Sequence, residues 1–194
     1  MARVGLNNFR YSHLTESEDG TPIYDGAKKA SAAVECKTSI ENNSAELFGD
    51  DVLQESDTSF KKGTFSITLT EDSNEFRADL LGHKTSEDGE MVRNANDTAP
   101  YIGAGRVVTK LVNGAKKYCV EIIYKIKFKE SLPDEKTKGE NMEFTTPTLE
   151  GDISTLANGD WSKSKEFKDR KEAIEYLEDT FKAPETPENV SAKG

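Results

Sequence analysis

Strict alternation of apolar and polar residues is the feature that most limits how this chain can fold. In residues 63–71, GTFSITLTE, the apolar residues Phe65, Ile67 and Leu69 are separated by single polar residues. Successive side chains of a β-strand point to opposite faces of a sheet, so this pattern predicts a strand with one buried face. Its other face is expected to be wet but uncharged, with Thr64, Ser66, Thr68 and Thr70.

Two other stretches favour strands. Residues 32–41 alternate in the same way, and Asn42-Asn43 is a candidate turn before a second, short strand. Residues 106–130 predict a hairpin, because Asn113-Gly114 suits a type I′ turn, in which both central residues have positive φ. One face of its second strand is expected to hold Val120, Ile122, Tyr124, Ile126 and Phe128.

Two short helices are predicted, each introduced by an acidic residue and a glutamate three positions later, as in a capping box. The first follows Asp72 and ends at Gly82, and the second follows Asp169 and ends at Pro184. Their apolar faces are expected to hold Phe76, Leu80 and Leu81 in the first helix, and Ile174, Leu177 and Phe181 in the second. The chain is therefore predicted to be one mainly β domain with two helices.

Composition narrows the possible functions. Only 34% of the 194 residues are hydrophobic and 32% are charged, so the core is modest and burial is expected to be completed against other copies of the chain. The net charge of −10 disfavours tight binding of nucleic acid. There is no apolar run long enough for a membrane helix and no secretion signal, so Cys36 and Cys119 are expected to be reduced, packed thiols.

An acidic stretch, LFGDDVLQESD at residues 47–57, raises the question of metal chemistry. A Gly-Asp-Asp triplet on a hairpin can hold a divalent cation, so a small metal-dependent hydrolase using Asp50, Asp51 and Asp57 is one alternative. The surroundings are acidic, have little periodicity and offer no basic groups for a nucleotide. A solvated acidic loop is therefore the favoured interpretation.

No other pattern amounts to an enzyme signature, and no cofactor is expected. His13 and His83 have no second ligand at metal-binding spacing, and His83 is expected to contact the last carbonyls of the first helix. Gly103-Ala104-Gly105 lacks the third glycine of a phosphate-binding loop and is expected to allow close approach of other groups to the backbone. A non-viral β-sandwich binding module is a further alternative, although no calcium-loop spacing supports it.

Five stretches in sequence order resemble the major tail protein family of long-tailed siphophages that infect Gram-positive bacteria. They are LFGDDVLQESDTSF, ADLLGHK, NDTAPYIGAGRVV, YKIKFKE with a later TKGE, and LEGDIS. The resemblance extends from about residue 4 to about residue 181 and is carried by the ordered set.

This resemblance implies a β-sandwich or flattened barrel of two packed sheets flanked by an α-helix. Residues 1–183 would form the tail-tube domain, with an N-terminal arm over about 1–30 and an inter-ring loop over about 49–62. Residues 184–194 would be a flexible tail. Six copies would form a ring, and stacked rings would form the tail tube through which the genome is delivered.

The family also implies partners and sites. The partners would be the tape measure protein, the tail terminator and distal tail proteins, with DNA only in transit and no membrane. The protein would be located in the virion after assembly in the host cytoplasm. Inter-ring contacts would come from Phe48, Asp50, Asp51, Glu55, Asp57, Phe60, Lys61 and Lys62. An acidic, hydroxyl-rich lumen wall that lets DNA slide would include Thr64, Ser66, Thr68 and Thr70.

Overall fold

The computed structural model describes residues 2–49, 52–131 and 146–184, and for residues 45–49 and 52–57 it describes the backbone. Most of these residues are in strands: β1 Ala2–Glu16, β2 Pro22–Tyr24, β3 Lys28–Lys29, β4 Ala33–Gly49, β5 Val52–Leu69, β6 Lys84–Thr85, β7 Met91–Val92, β8 Tyr101–Val112, β9 Ala115–Phe128, β10 Thr148–Ser154 and β11 Ser162–Phe167. The helices are α1 Asn74–Leu81 and α2 Arg170–Thr180. The protein is therefore mainly β, as predicted.

Nine of the described strands form one antiparallel sheet, in which the main path runs β2-β1-β8-β9-β10-β5-β4. β3 also pairs with β1, β11 pairs with β9, and β6 and β7 form a separate hairpin. The predicted arrangement of two packed sheets is therefore corrected, because one continuous ladder bends over itself. Phe9 on β1 stacks on Phe65 on β5 with ring centroids 6.3 Å apart, although three strands lie between them in the sheet.

The bent sheet has a core on each side. Inside the bend lie Phe65, Ile67, Leu69, Ile102, Ile126 and Phe128, together with Phe9 and Tyr11. On the outer side, Leu177 and Phe181 of α2 pack against Val107 and Ile122. Among the described residues, no helix is long and apolar enough to cross a membrane.

A bulge in β9 assigns the two halves of this strand to different cores. Ile102 pairs with Ile126 but Ala104 pairs with Ile123, so β9 has one extra residue opposite Gly103. The extra residue reverses the direction of every later side chain. The predicted single apolar face of β9 is therefore wrong, because Val120 and Ile122 face α2 whereas Ile126 and Phe128 lie inside the bend.

The Gly103 and Gly105 positions allow the close packing that the sequence predicted. A Cβ at Gly103 would lie 2.4 Å from the Tyr24 ring, and one at Gly105 would lie 2.5 Å from a Leu177 methyl. Both distances are too short for two carbon atoms that are not bonded to each other. Glycine at these two positions therefore lets α2 and Tyr24 approach the sheet.

Gly105→Ala is expected to destabilise the protein by about 1–3 kcal/mol, because α2 must move away from β8 to accommodate the methyl group. The matched control is Gly5→Ala on β1, where the nearest side-chain atom would be 3.9 Å away. Urea unfolding of both variants measures the difference. Equal stability of the two variants would contradict this account of the packing.

The helix ends confirm one predicted cap and correct the other. Asp169 accepts hydrogen bonds from the backbone N–H groups of Lys171 and Glu172, as expected, but α2 ends at Thr180 and not at Pro184. In α1 the N-cap is Ser73, whose hydroxyl accepts from the Phe76 N–H, whereas Asp72 pairs with the buried Arg77. Gly82 ends α1 in the left-handed conformation, with φ 76°.

The N-terminal segment is a strand of the sheet, and the prediction of an arm over residues 1–30 is corrected. β1 pairs with β8 from Ala2 to His13, and Phe9 and Tyr11 are buried. Two bulges, between Arg3 and Gly5 and between Asn7 and Arg10, interrupt the pairing. These bulges break the two-residue period, which explains why no strand pattern is visible in that part of the sequence.

Candidate assembly surface

The longest hairpin of the protein projects beyond the sheet. β4 and β5 pair from Ala33↔Leu69 to Gly49↔Val52, but β10 supports β5 only over residues 63–68. Residues 42–49 and 52–60 therefore form a ribbon of two strands. At about 3.3 Å per residue, its eight β4 residues extend roughly 26 Å from the sheet.

This ribbon corrects two predictions. Asn42-Asn43 is not a turn, because the two residues pair with Phe60 and Ser59, and the loop predicted over residues 49–62 is a strand from Val52 onwards. A ribbon that leaves the sheet has no core beside it to select apolar residues on one face. Its sequence therefore lacks the period of two that identified the neighbouring part of β5.

The base of the ribbon is packed firmly onto the body. Phe60 stacks on Trp161 with centroids 5.3 Å apart, and a Cβ at Gly63 would lie 2.8 Å from Ile40 and 3.0 Å from Ile153. The pairing shifts between Glu41 and Asn42, so one strand carries an extra residue where the ribbon begins. Such a bulge increases the twist of the two strands and changes the direction in which the ribbon leaves the sheet.

The predicted inter-ring residues lie at the two ends of this ribbon. Phe60, Lys61 and Lys62 are at its base, where both lysines pair with Glu41 at 3.9 and 3.2 Å. All three charged side chains are more than half exposed, so each pair contributes at most about 1 kcal/mol. At the outer end, the register pairs the backbone of Phe48 with Leu53, Leu47 with Glu55 and Ala45 with Asp57. Asp50 and Asp51 lie outside the described residues.

The predicted wet face is present on the outer side of β4, β5 and β10. Thr64, Ser66 and Thr68 are half-buried between their neighbours and Thr70 is exposed. The register places them in rows with charged residues of the adjacent strands: Glu35, Lys37, Glu150 and Asp152. The Thr68 and Thr148 hydroxyls lie 2.9 Å apart. The surface is hydroxyl-rich, but its carboxylates are accompanied by lysines.

Two strands of the sheet have edges without a ladder partner among the described residues. β4 pairs on one side only, and residues 2–9 of β1 pair only with β8. Val34 on β4 and Val4 on β1 sit at irregular positions of these edges and are 55% and 62% exposed. Exposed N–H and C=O groups with neighbouring apolar side chains are a template for another strand.

The contact with a helix carbonyl that was expected of the His83 imidazole is made by His13. The His83 imidazole contacts carboxylates, with Nδ1 2.7 Å from Asp97 and Nε2 2.6 Å from Glu130, and only the backbone N–H of His83 donates to a carbonyl of α1, that of Ala78. It is His13 whose Nε2 lies 2.9 Å from a carbonyl of α1, that of Asp79. An imidazole between two carboxylates can donate through both nitrogens when it is protonated, so this arrangement favours the charged form. Hydrogen bonds to Glu130 and Asp97 raise the pKa of His83 above 6.5.

His83→Gln is expected to lower Tm by about 4–8 °C near pH 6, because two charge-assisted hydrogen bonds are lost. The stabilisation by His83 is complete below pH 6.5 and is lost as pH rises through the raised pKa. The Tm difference from wild type should therefore shrink towards pH 9. It should also shrink in strong acid, because the pKa of Asp97 is lowered from 3.8 and protonation breaks the contact.

Thermal unfolding between pH 3 and pH 9 measures this profile, with Asn96→Gln, at the exposed position next to Asp97, as the control. A Tm difference that is independent of pH would show that the His83 contacts are not ionic.

A cavity that the sequence did not indicate opens beside these edges, between β4 and the β8–β9 part of the sheet. It holds the buried Arg106, which pairs with Glu121, and it is also lined by Arg3 and Trp161. The sequence feature that could have indicated this cavity is the single arginine within the apolar run of β8, GAGRVV. Its partners are far away in sequence, so local patterns could not identify them.

The described residues contain no group of three His, Cys, Asp or Glu side chains arranged to hold a metal ion. The Asp50, Asp51 and Asp57 side chains of the hydrolase alternative lie outside what the structure describes. Cys36 and Cys119 are both free thiols, as expected. Comparison of the chain with protein-family models and with curated proteins gives no match. The fold and site thus define a mainly β protein with a large antiparallel sheet, two helices and a projecting hairpin.

Proposed function

We propose that this chain is a structural protein that assembles with copies of itself into the tail tube of a long-tailed phage. The observation that carries the proposal is the two-stranded ribbon beyond residue 41, whose strands pair with no third strand among the described residues. An isolated two-stranded hairpin is at best marginally stable in water. Contact with another copy would supply the missing packing, in agreement with the family resemblance.

Ring formation follows from the two open edges. The β4 edge and the β1 edge are different surfaces at different ends of the sheet path. Pairing of one with the other on the next copy is a heterologous contact, which closes into a ring when the rotation between copies allows it. Six copies per ring, with the ribbons directed to the adjacent ring, would build the stacked tube of a virion.

The same proposal assigns the wet face of β4, β5 and β10 to the lumen. In its rows the carboxylates of Glu35, Glu150 and Asp152 are accompanied by Lys37 and Lys127. The wall would thus be closer to neutral than the acidic surface expected from composition. Alternating charges with hydroxyls between them give DNA phosphates no continuous cationic track, so DNA would pass without being held.

In the virion this tube would enclose the tape measure protein and then conduct DNA. Its two ends would contact the tail terminator and the distal tail proteins. The contacts between rings would be individually weak and numerous, as the exposed pairs at the ribbon base suggest.

Electron microscopy and sedimentation velocity of the purified, concentrated protein test the proposal. Rings or tubes about 100 Å wide are expected, as six small domains around a pore require. A single species of 21.5 kDa at every concentration, together with absence of the protein from phage particles, would refute it.

A further inference from the structure

The cavity beside Arg106 has the size and lining of a binding site. Its volume is about 460 Å³, within the usual range for ligand sites. Phe9, Phe65, Ile123 and Trp161 provide apolar surface, and charged side chains surround them. The cavity is formed by the packing of the sheet, because its lining residues come from several strands: β1, β4, β8, β9 and β11.

The charges in the cavity do not balance. Arg106 is only 8% exposed, and it donates to one oxygen of Glu121 from Nε and Nη2, at 3.1 and 2.9 Å. Arg3 binds the other oxygen of the same carboxylate at 2.8 Å. Two guanidinium groups thus share one carboxylate, which leaves one surplus positive charge at the Arg3 side of the cavity, where the side chain is 60% exposed.

A buried donor of Arg106 adds to this surplus. The Nη1 atom of Arg106 is buried and has no hydrogen-bond partner among the described residues. Leaving a buried charged donor unpaired is costly, which favours binding of an acceptor. Lys37 at the rim adds one positive charge and Glu35 adds one negative charge, whereas the Lys163 ammonium lies over the Tyr176 ring, 5.2 Å from its centroid. In a chain of net charge −10, this is a local cationic surface suited to a carboxylate.

We propose that this cavity receives the acidic end of the hairpin, residues 45–57, from a second copy of the chain. That segment places Asp50 and Asp51 between apolar neighbours, in the sequence LFGDDVL. A carboxylate would be held by the exposed cations of the lining, Arg3 and Lys37, and the apolar neighbours would contact the aromatic part of the lining. The inference rests on the proposed self-assembly and deepens it by identifying the receptor.

The cavity cannot receive the hairpin end of its own chain. Thr38, which lines the cavity, and Gly49, at the outer end of the ribbon, lie on the same strand. The two residues are eleven positions apart, which corresponds to about 36 Å of extended strand. The ribbon backbone as far as Gly49 therefore leads away from the cavity of its own copy, so we assign the occupant to another copy.

Trp161 is the only tryptophan of the chain, so its fluorescence reports directly on occupancy of the cavity. The probe is a peptide of residues 45–57 with blocked termini, titrated into the full chain at a concentration where it is unassembled. A saturable change in emission is expected. A control peptide with Asp50→Asn and Asp51→Asn is expected to bind at least tenfold more weakly.

Arg3→Gln provides a variant that does not disturb the core, because the Arg3 side chain is 60% exposed. In this variant Glu121 pairs only with Arg106, and the surplus positive charge is removed. The peptide should therefore bind about fivefold more weakly. Lys116→Gln, exposed on β9 outside the cavity, makes the same change in net charge and should leave binding unchanged. Arg106→Lys keeps the positive charge but loses the two hydrogen bonds from Nε and Nη2 to Glu121, and it should also weaken binding of the peptide.

Cys36 supplies a second readout in the assembled protein, because it lines the same cavity. Burial raises the pKa of the Cys36 thiol, and the nearby Arg106 offsets part of this rise. Its reaction with a thiol reagent should be at least tenfold slower in tubes than in the unassembled chain.

The proposal is overturned if millimolar peptide gives no saturable change, if both peptides bind equally, or if Arg3→Gln and Lys116→Gln behave alike. An unchanged Cys36 rate in tubes also overturns it. If tubes form while these tests fail, the receptor is wrong and the tube proposal stands. If the peptide binds as expected but no assembly ever forms, the cavity assignment stands and the tube proposal fails.

Discussion

Replacing residues 43–59 by Asn-Gly is expected to abolish tube growth and leave the body of the protein folded. The replacement joins Asn42 to Phe60, which already pair directly, through a two-residue turn suited to a hairpin. It keeps the stack of Phe60 on Trp161 and removes only strand that no third strand supports. Tm should therefore change by no more than about 2–4 °C, the effect of roughly 1 kcal/mol in a chain of this size.

Sedimentation velocity and electron microscopy measure the loss of assembly, and thermal unfolding measures the folding of the monomer. The control keeps the full hairpin and neutralises its end with Asp50→Asn and Asp51→Asn, which separates the effect of length from that of charge. This control should assemble more slowly and with less dependence on salt. Normal tubes from the shortened protein would show that the ribbon is not an assembly contact.

A second large effect is expected from lysines on the proposed lumen face. Ser66→Lys combined with Thr68→Lys adds two cations per copy at the centre of the wet face, and so twelve in each six-membered ring. The affinity of assembled tubes for duplex DNA should rise by at least about 100-fold at low salt and be lost by about 0.2 M salt, because several phosphates are neutralised together.

Tubes assembled with a short fluorescent duplex and then pelleted measure this retention. Ala95→Lys with Asn96→Lys, at exposed positions of the loop after β7, adds the same charge away from the face. DNA bound equally by both double variants would place the wet face outside the lumen. Folding of both variants is checked by their unfolding temperature.

Those parts of the fold that depend on local interactions could be predicted from the sequence. The alternation around Phe65, the Asn113-Gly114 turn and the Asp169 cap each depend on a few neighbouring residues, and all three are present in the structure. Asn113 and Gly114 have φ values of 50° and 79°, as a type I′ turn requires.

Features that depend on the pairing of distant strands could not be predicted. The bulge in β9 lies opposite Gly103, which is on another strand and packs against Tyr24. The bulges of β1 concealed a strand, and the ribbon after Glu41 lacks alternation because it leaves the core. The same reason applies to the cavity, where Arg3, Arg106 and Glu121 meet from three strands.

The irregularity in β9 has a mechanical consequence. The first half of β9 packs in the core under α2, and its second half packs in the core within the bend. Both cores therefore contain the same strand. A force that detaches α2 from the sheet would shift β9 and thereby also loosen the core within the bend. Each copy of the chain is therefore expected to yield as one cooperative unit under tension, which would suit a filament of the kind proposed above.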